Sequence, residues 1–293
     1  MKLSIYSIVK NEEIEIEDMI KSAMGADEHI IVDTGSTDKT IELIKKYPHV
    51  KLYTDYTWND DFSEAKNHAA AKCTNEWVCS LDADCRLDKD FIKEAHEMIQ
   101  DTKHDALFVD LMSLQYQGAN HRRAKIYRNN GKIFYKGMAH EDLNVLGQVH
   151  ESGVIPKIWY GYSINHMKDP DRYIRIMAKQ VDAEPTVPRH LFYLAQSYFF
   201  KKDYVPAIAI FRDYLDMSKY PKERVEAYLY IAQAHWFMKQ GGKAREACTQ
   251  AILMNPDHRG ALRFMATIHN EPWKHKWQKI ADRATNEDAM FRR

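Results

Sequence analysis

Trp77-Val78-Cys79-Ser80-Leu81-Asp82-Ala83-Asp84 is the stretch that decides the fold. A short apolar run with the composition of a buried strand leads without a break into two carboxylates two positions apart. Upstream, Ser63 to Lys72 reads as a helix and Val50 to Tyr53 as a strand. Before them, Ile30-Ile31-Val32 is a strand that ends at Asp33-Thr34-Gly35-Ser36-Thr37-Asp38, a turn rich in helix-capping residues, and the helix Lys39 to Tyr47 follows. At the start, Leu3 to Val9 is a buried strand. Glu12 to Met24 is a helix with Ile16, Met19, Ile20 and Ala23 on one face. Strands separated by helices of this length predict an α/β, Rossmann-like, mostly parallel sheet with right-handed crossovers. Ligands of such sheets sit at the carboxyl ends of the strands, where Asp33 and the Asp82/Asp84 pair both fall.

Beyond about Asp171 the period changes. Leu191, Leu194, Ala195, Tyr198, Ala207 and Phe211 occupy the packing positions of a tetratricopeptide repeat, and Tyr228, Ile231, Ala232, His235, Ala244, Ala251 and Pro256 repeat them 37 residues later. Leu262, Met265, Ala266 and His269 begin a third copy, and the pattern is expected to fail near Pro272. The expected organisation is a nucleotide-binding domain over residues 1–170 and a helical repeat domain over residues 171–293. Two and a half repeats are few for a free-standing array, so docking on the first domain is expected.

Composition sets the bounds. Of 293 residues 45% are hydrophobic, enough to fill two cores. Lys plus Arg equals Asp plus Glu at 42 each, so no global charge favours nucleic acid or an anionic membrane. The first residues do not read as a signal peptide, and no apolar run approaches the roughly 20 residues of a membrane helix. Cys73, Cys79, Cys85 and Cys248 lack zinc or CxxC spacing and read as reduced thiols of a cytoplasmic protein.

Hard carboxylate oxygens such as those of Asp82 and Asp84 suit Mg²⁺ or Mn²⁺, whose shell is usually completed by water and a substrate diphosphate. With Ser7-Ile8-Val9-Lys10-Asn11-Glu12-Glu13, Val32-Asp33-Thr34-Gly35-Ser36-Thr37-Asp38-Lys39-Thr40 and Leu81-Asp82-Ala83-Asp84 in order, the chain resembles family 2 glycosyltransferases. Trp58-Asn59-Asp60-Asp61-Phe62-Ser63-Glu64-Ala65-Lys66-Asn67 is similar to the branch whose GT-A catalytic domain precedes tetratricopeptide repeats. Arg128-Asn129 and Phe134-Tyr135-Lys136-Gly137-Met138-Ala139-His140-Glu141 resemble a later segment of that branch.

The resemblance implies a metal-dependent, inverting transferase of the hexosyltransferase type using a UDP-sugar. Asp33 would hold the nucleoside and Lys10, Asn11 and Glu12 would line its pocket. Asp61 would contact the base, and Lys66, where most members carry Arg, a phosphate or the base pocket. Asp82 would touch ribose or metal, Asp84 the metal, and His166, in Ile164-Asn165-His166, would complete the metal shell. Glu141 would be the general base, with Asp142 as the alternative. The acceptor is left open among peptide, protein, glycan and modified nucleobase, held partly by the repeats. His121-Arg122-Arg123-Ala124-Lys125 reads either as a solvated strand or loop or as a contact to an anionic acceptor or diphosphate. Two other classes compete. A nucleotidyltransferase would carry a Gly-rich loop after the first strand, and Val9-Lys10-Asn11-Glu12 has no glycine. A repeat scaffold with a decayed front domain is opposed by the retained Asp33, Asp82, Asp84 and Glu141.

Overall fold

All but one residue of β1 (Leu3–Val9) is buried, because both faces of its sheet are covered. Leu3, Ile5 and Val9 enter one apolar cluster, while Tyr6 and Ile8 enter the other. The computed structural model describes residues 1–114, 121–145, 155–161, 169 and 171–284. The chain divides into two compact units, Met1–Asp169 and Pro170–Arg293.

In the first unit β1 is flanked by β2 (Glu28–Asp33) and β4 (Trp77–Ser80), both parallel to it, and β3 (Val50–Tyr53) extends the sheet beyond β2. On the other side come β7 (His121–Arg128), β6 (Ala106–Ser113), β10 (Lys157–Tyr160) and β5 (Cys85–Leu87), giving the order β3-β2-β1-β4-β7-β6-β10-β5. Only β7 and β5 run against the others. α1 (Ile16–Ser22), α2 (Thr40–Ile44) and α4 (Phe91–Asp101) supply the cluster on one face through Met19, Ile20, Ile44, Phe91 and Ile99. α3 (Phe62–Ala71) covers the other face with Ala69 and Ala70, against Tyr6 and Tyr127. A short hairpin, β8 (Tyr135–Lys136) with β9 (Asp142–Leu143), lies beside α3. The result is the expected α/β, mostly parallel architecture.

α1 begins at Ile16, later than the apolar pattern suggests. The N–H groups of Glu12 and Glu13 donate to Thr40 Oγ1 and Asp38 Oδ2, at 2.7 and 3.2 Å, and the Glu12 carbonyl accepts from the N–H groups of Glu15 and Ile16 at 3.0 and 2.9 Å, so the chain enters α1 through a turn tied to the neighbouring loop.

The second unit is all-helical: α5 (Arg172–Ala183), then the pairs α6 (Pro188–Phe200) with α7 (Tyr204–Met217) and α8 (Pro221–Phe237) with α9 (Gly241–Met254). Ala195 and Ala207 are fully buried, as are their counterparts Ala232 and Ala244, so paired helices approach closely. Phe211 stacks on Tyr230 at 5.3 Å between centroids and joins the two pairs. The helical structure continues past Pro272, near which the repeat pattern was expected to end. α10 (Arg259–Thr267) is followed by α11 (Trp273–Arg283), for which Pro272 is the N-cap. A proline at a helix start costs no intrahelical bond, because the first N–H groups lack partners in any case.

Candidate active site

The carboxyl ends of β1, β2 and β4 bring two loops side by side. Asn11 turns the chain with φ of 58°, a conformation Asn tolerates better than most residues. Its N–H donates to Ser36 Oγ at 2.8 Å, and its Oδ1 accepts from the N–H of Thr37 at 2.7 Å. Lys10 is exposed and Glu12 half-buried on this turn. Asp33, 3% exposed, ends β2. Its Oδ1 accepts from the N–H groups of Gly35 and Ser36, both at 2.9 Å, which shapes the turn. Its Oδ2 is buried and has no hydrogen-bond partner. A buried carboxylate oxygen is rarely left unpaired, and a ligand hydroxyl or ring N–H arriving there would satisfy it.

β1 separates Asp33 from the acidic pair, a spacing of about 10 Å for two strand intervals. Asp82 is held by two buried lysines. Lys66 Nζ reaches its Oδ1 at 2.9 Å and Lys125 Nζ its Oδ2 at 3.0 Å. Lys66 also meets Glu141 Oε1 at 2.6 Å and stands over the Tyr135 ring at 5.2 Å. Burial opposes charge on Asp82, but the ammonium groups of Lys125 and Lys66 outweigh it and hold the carboxyl well below the carboxylate range. Burial likewise opposes charge on Lys66, and the carboxylates of Asp82 and Glu141 keep it protonated well above the usual lysine value. Lys125 is raised for the same reason, through Asp82. The Tyr135 hydroxyl is buried without a partner beside this cluster.

Local sequence sets these positions. Asp61 caps α3, its Oδ1 accepting from the Glu64 N–H at 2.9 Å and from Ser63 Oγ at 2.8 Å. Asn67 on α3 holds the backbone of Tyr135 by two bonds, 2.8 and 2.9 Å, which brings the Glu141 segment against Lys66. Arg86 fixes the turn after Asp82 by donating to the carbonyls of Ala83 and Cys85, and it reaches Glu15 at 2.6 Å. Between β6 and β7 the pairing shifts from Leu107↔Ile126 to Phe108↔Ala124. Lys125 is the extra residue of that bulge, a device that re-aims a side chain.

The structure thus gathers Asp82, Lys66 and Glu141 around one ammonium, with Asp33 and Asn11 one strand interval and more away. Asp142 does not join them: it is exposed and pairs with Arg123 at 3.0 Å. Arg122 pairs with Asp110 at 2.8 Å, so of the basic run only Lys125 enters the cluster. His166 lies outside the described residues. In the sequence Lys125 stands out only as the end of the basic run, with a diphosphate contact as one of its two readings, and Tyr135 only inside a motif; Arg86 carries no signal. The available signal for Lys125 was a lone lysine at the seam where the basic run turns apolar, Ala124-Lys125-Ile126-Tyr127.

The donor set can be tested against a divalent cation. Among the described residues no three His, Cys, Asp or Glu converge on one point. Both Asp82 oxygens already face ammonium groups, and Asp84 Oδ1 lies 3.8 Å from Cys85 Sγ. Formally, Asp82, Asp84 and Glu141 against Lys66 and Lys125 leave one net negative charge. A diphosphate adds more, and a divalent cation arriving with it fits that balance.

The family model described as "Glycosyl transferase family 2" matches residues 4–160. The SPbeta prophage-derived glycosyltransferase SunS of Bacillus subtilis is 27% identical over 201 residues, 64% of this chain and 47% of that protein. A TPR repeat-containing protein of Synechococcus elongatus is 30% identical over 144 residues, 48% of this chain and 35% of that one. The chain spans about half the length, or less, of these two relatives. Among solved structures, S. aureus TarS 1–349 in complex with UDP-GlcNAc is similar in fold. It has a TM-score of 0.52 and 16% identity over 84% of this chain and 90% of that one.

Proposed function

The chain belongs to glycosyl transferase family 2, and on that footing we propose that it moves a sugar from a nucleotide diphosphate, UDP first among candidates, to an acceptor with inversion at the anomeric carbon. The observation that carries this reading is Lys66, which joins the donor-side carboxylate Asp82 to the carboxylate Glu141 through one buried ammonium. Donor and base are thereby within reach of one another.

In this reading the unpaired Oδ2 of Asp33 takes a hydroxyl or N–H of the nucleoside, and the Asn11 turn closes the pocket. The diphosphate lies beside Lys66 and Lys125, whose ammonium groups can turn from Asp82 and Glu141 toward its oxygens. A divalent cation, Mn²⁺ or Mg²⁺, held by Asp84 and the diphosphate would supply further charge neutralisation for the departing UDP. As phosphate oxygens draw Lys66 toward them, Glu141 is released to act as base. The acceptor hydroxyl gives its proton to Glu141, its oxygen bonds to the anomeric carbon from the face opposite the diphosphate, and the bond to UDP breaks. The four free, buried cysteines support a reducing compartment such as the cytoplasm. Repeat arrays present extended binding surfaces, so peptides and proteins lead the panel of acceptors, ahead of glycans and modified nucleobases.

The test is mass spectrometry of candidate acceptors incubated with a panel of nucleotide sugars, repeated with Glu141→Gln. The variant keeps shape and loses basicity. The expected outcome is a kcat lower by roughly 10²-fold or more with donor affinity nearly unchanged. Equal losses in donor affinity and turnover would instead move Glu141 into the donor pocket.

A further inference from the structure

α11 carries a surface to which the proposed reaction assigns no residue. It reads Trp273-Lys274-His275-Lys276-Trp277-Gln278-Lys279-Ile280-Ala281-Asp282-Arg283. Each helix residue turns by about 100° from the last. Trp277 and Ala281 therefore share one stripe with Ala284, and this stripe is the one that packs, against Leu262 and Ile252. Next around the helix come Trp273 and Ile280, 55% and 47% exposed. Beyond them lie Lys276, Arg283, Lys279 and His275, all exposed. Asp282, the one acid of the helix, borders this face beside His275 and accepts from Gln278 at 2.8 Å. The Lys276 ammonium stands 4.4 Å from the Trp273 ring centroid.

We propose that this face adsorbs to an anionic lipid surface, with Trp273 and Ile280 entering the headgroup boundary and Lys276, Lys279 and Arg283 meeting lipid phosphates. The two halves of the face ask for different surroundings, one apolar and one anionic, and a charged bilayer interface offers both at the right depth. Lysine stems lie along apolar surface while their heads stay in water, as Lys276 already does over Trp273. A nucleic acid would match the cations and stack on Trp273, but Ile280 would gain nothing from it. The concentration of charge is local: the whole chain is formally neutral, whereas α11 holds four Lys or Arg against one Asp.

The test is co-sedimentation of the full chain with vesicles of neutral phosphatidylcholine, and with vesicles containing roughly 30% phosphatidylglycerol. Binding to the anionic vesicles only, weakening as salt rises, is the expected result. Each basic side chain near such a surface contributes about fivefold, so Lys276→Glu with Lys279→Glu should weaken partitioning at least tenfold. Trp273→Ala with Ile280→Ser should weaken it at unchanged charge. All four side chains are exposed, and an unchanged far-ultraviolet circular dichroism spectrum checks that both variants are folded. Equal partitioning into neutral and anionic vesicles, or variants that bind like the parent, would overturn the proposal. So would a chain that ignores vesicles yet binds an RNA oligonucleotide or an acidic peptide through α11.

Discussion

A buried lysine is tolerable only when its ammonium is matched, and Lys66 is matched twice, by Asp82 and Glu141. Among the described residues Lys125 is matched by Asp82. Removing Lys125 therefore leaves a carboxylate short of one partner. The Asp82 side chain is 38% exposed, so water screens part of the loss. Lys125→Met is expected to cost about 1–2 kcal/mol in urea denaturation, below the range for fully buried pairs. It should also lower turnover at least tenfold. Arg122→Ala, whose pair with Asp110 is solvent-exposed, should stay within about 0.5 kcal/mol. A neutral Lys125→Met would remove the lysine clamp from the account. At this scale the carboxylates were legible, because Asp33, Asp82 and Glu141 sit in motifs with a fixed order. Lys125 was not, since its aim comes from a bulge between β6 and β7 that no local pattern announces. Nor was the capping role of Asp61, whose Oδ1 accepts from the Glu64 N–H and Ser63 Oγ at the start of α3.

β2 shows the same contrast in an element. All six of its residues are buried, as expected for an interior parallel strand, and this forces His29 inside with neither ring nitrogen hydrogen-bonded. Burial, with some help from His49, lowers the His29 pKa to about 4. An unfolded histidine titrates near 6.5, so between those values the unfolded chain binds more protons than the native one. The contribution is full above about pH 6.5 and is lost as pH falls toward 4, on the order of 3 kcal/mol in all. Thermal unfolding followed across this window should show the loss, and His29→Leu should flatten it. An equally steep acid decline in the variant would assign it to other groups. Strand and helix existence was legible here from apolar runs and caps. The starts of α1 and α11 were not: the chain enters α1 through a turn tied to the neighbouring loop, and α11 follows Pro272, near which the repeat pattern was expected to end.

For the whole molecule, the change of hydrophobic period near residue 170 made two units legible, since a sheet alternates with its covering helices while a repeat returns at fixed spacing. What the period could not carry was chemistry in the second unit, where Trp273 and Lys276 of α11 matter only through the face left uncovered. In the first unit, the proposed function makes Asp33 and the Asp82 cluster one nucleoside diphosphate site. Isothermal titration calorimetry of the full chain with UDP and Mn²⁺, beside Asp33→Ala, tests it most directly. UDP is the first ligand to titrate because it is the leaving nucleotide of the proposed reaction. The account predicts saturable binding of one UDP that weakens at least tenfold in Asp33→Ala, or about 1.4 kcal/mol. No binding of UDP or any other nucleoside diphosphate, or an Asp33→Ala chain that titrates like the parent, would contradict it.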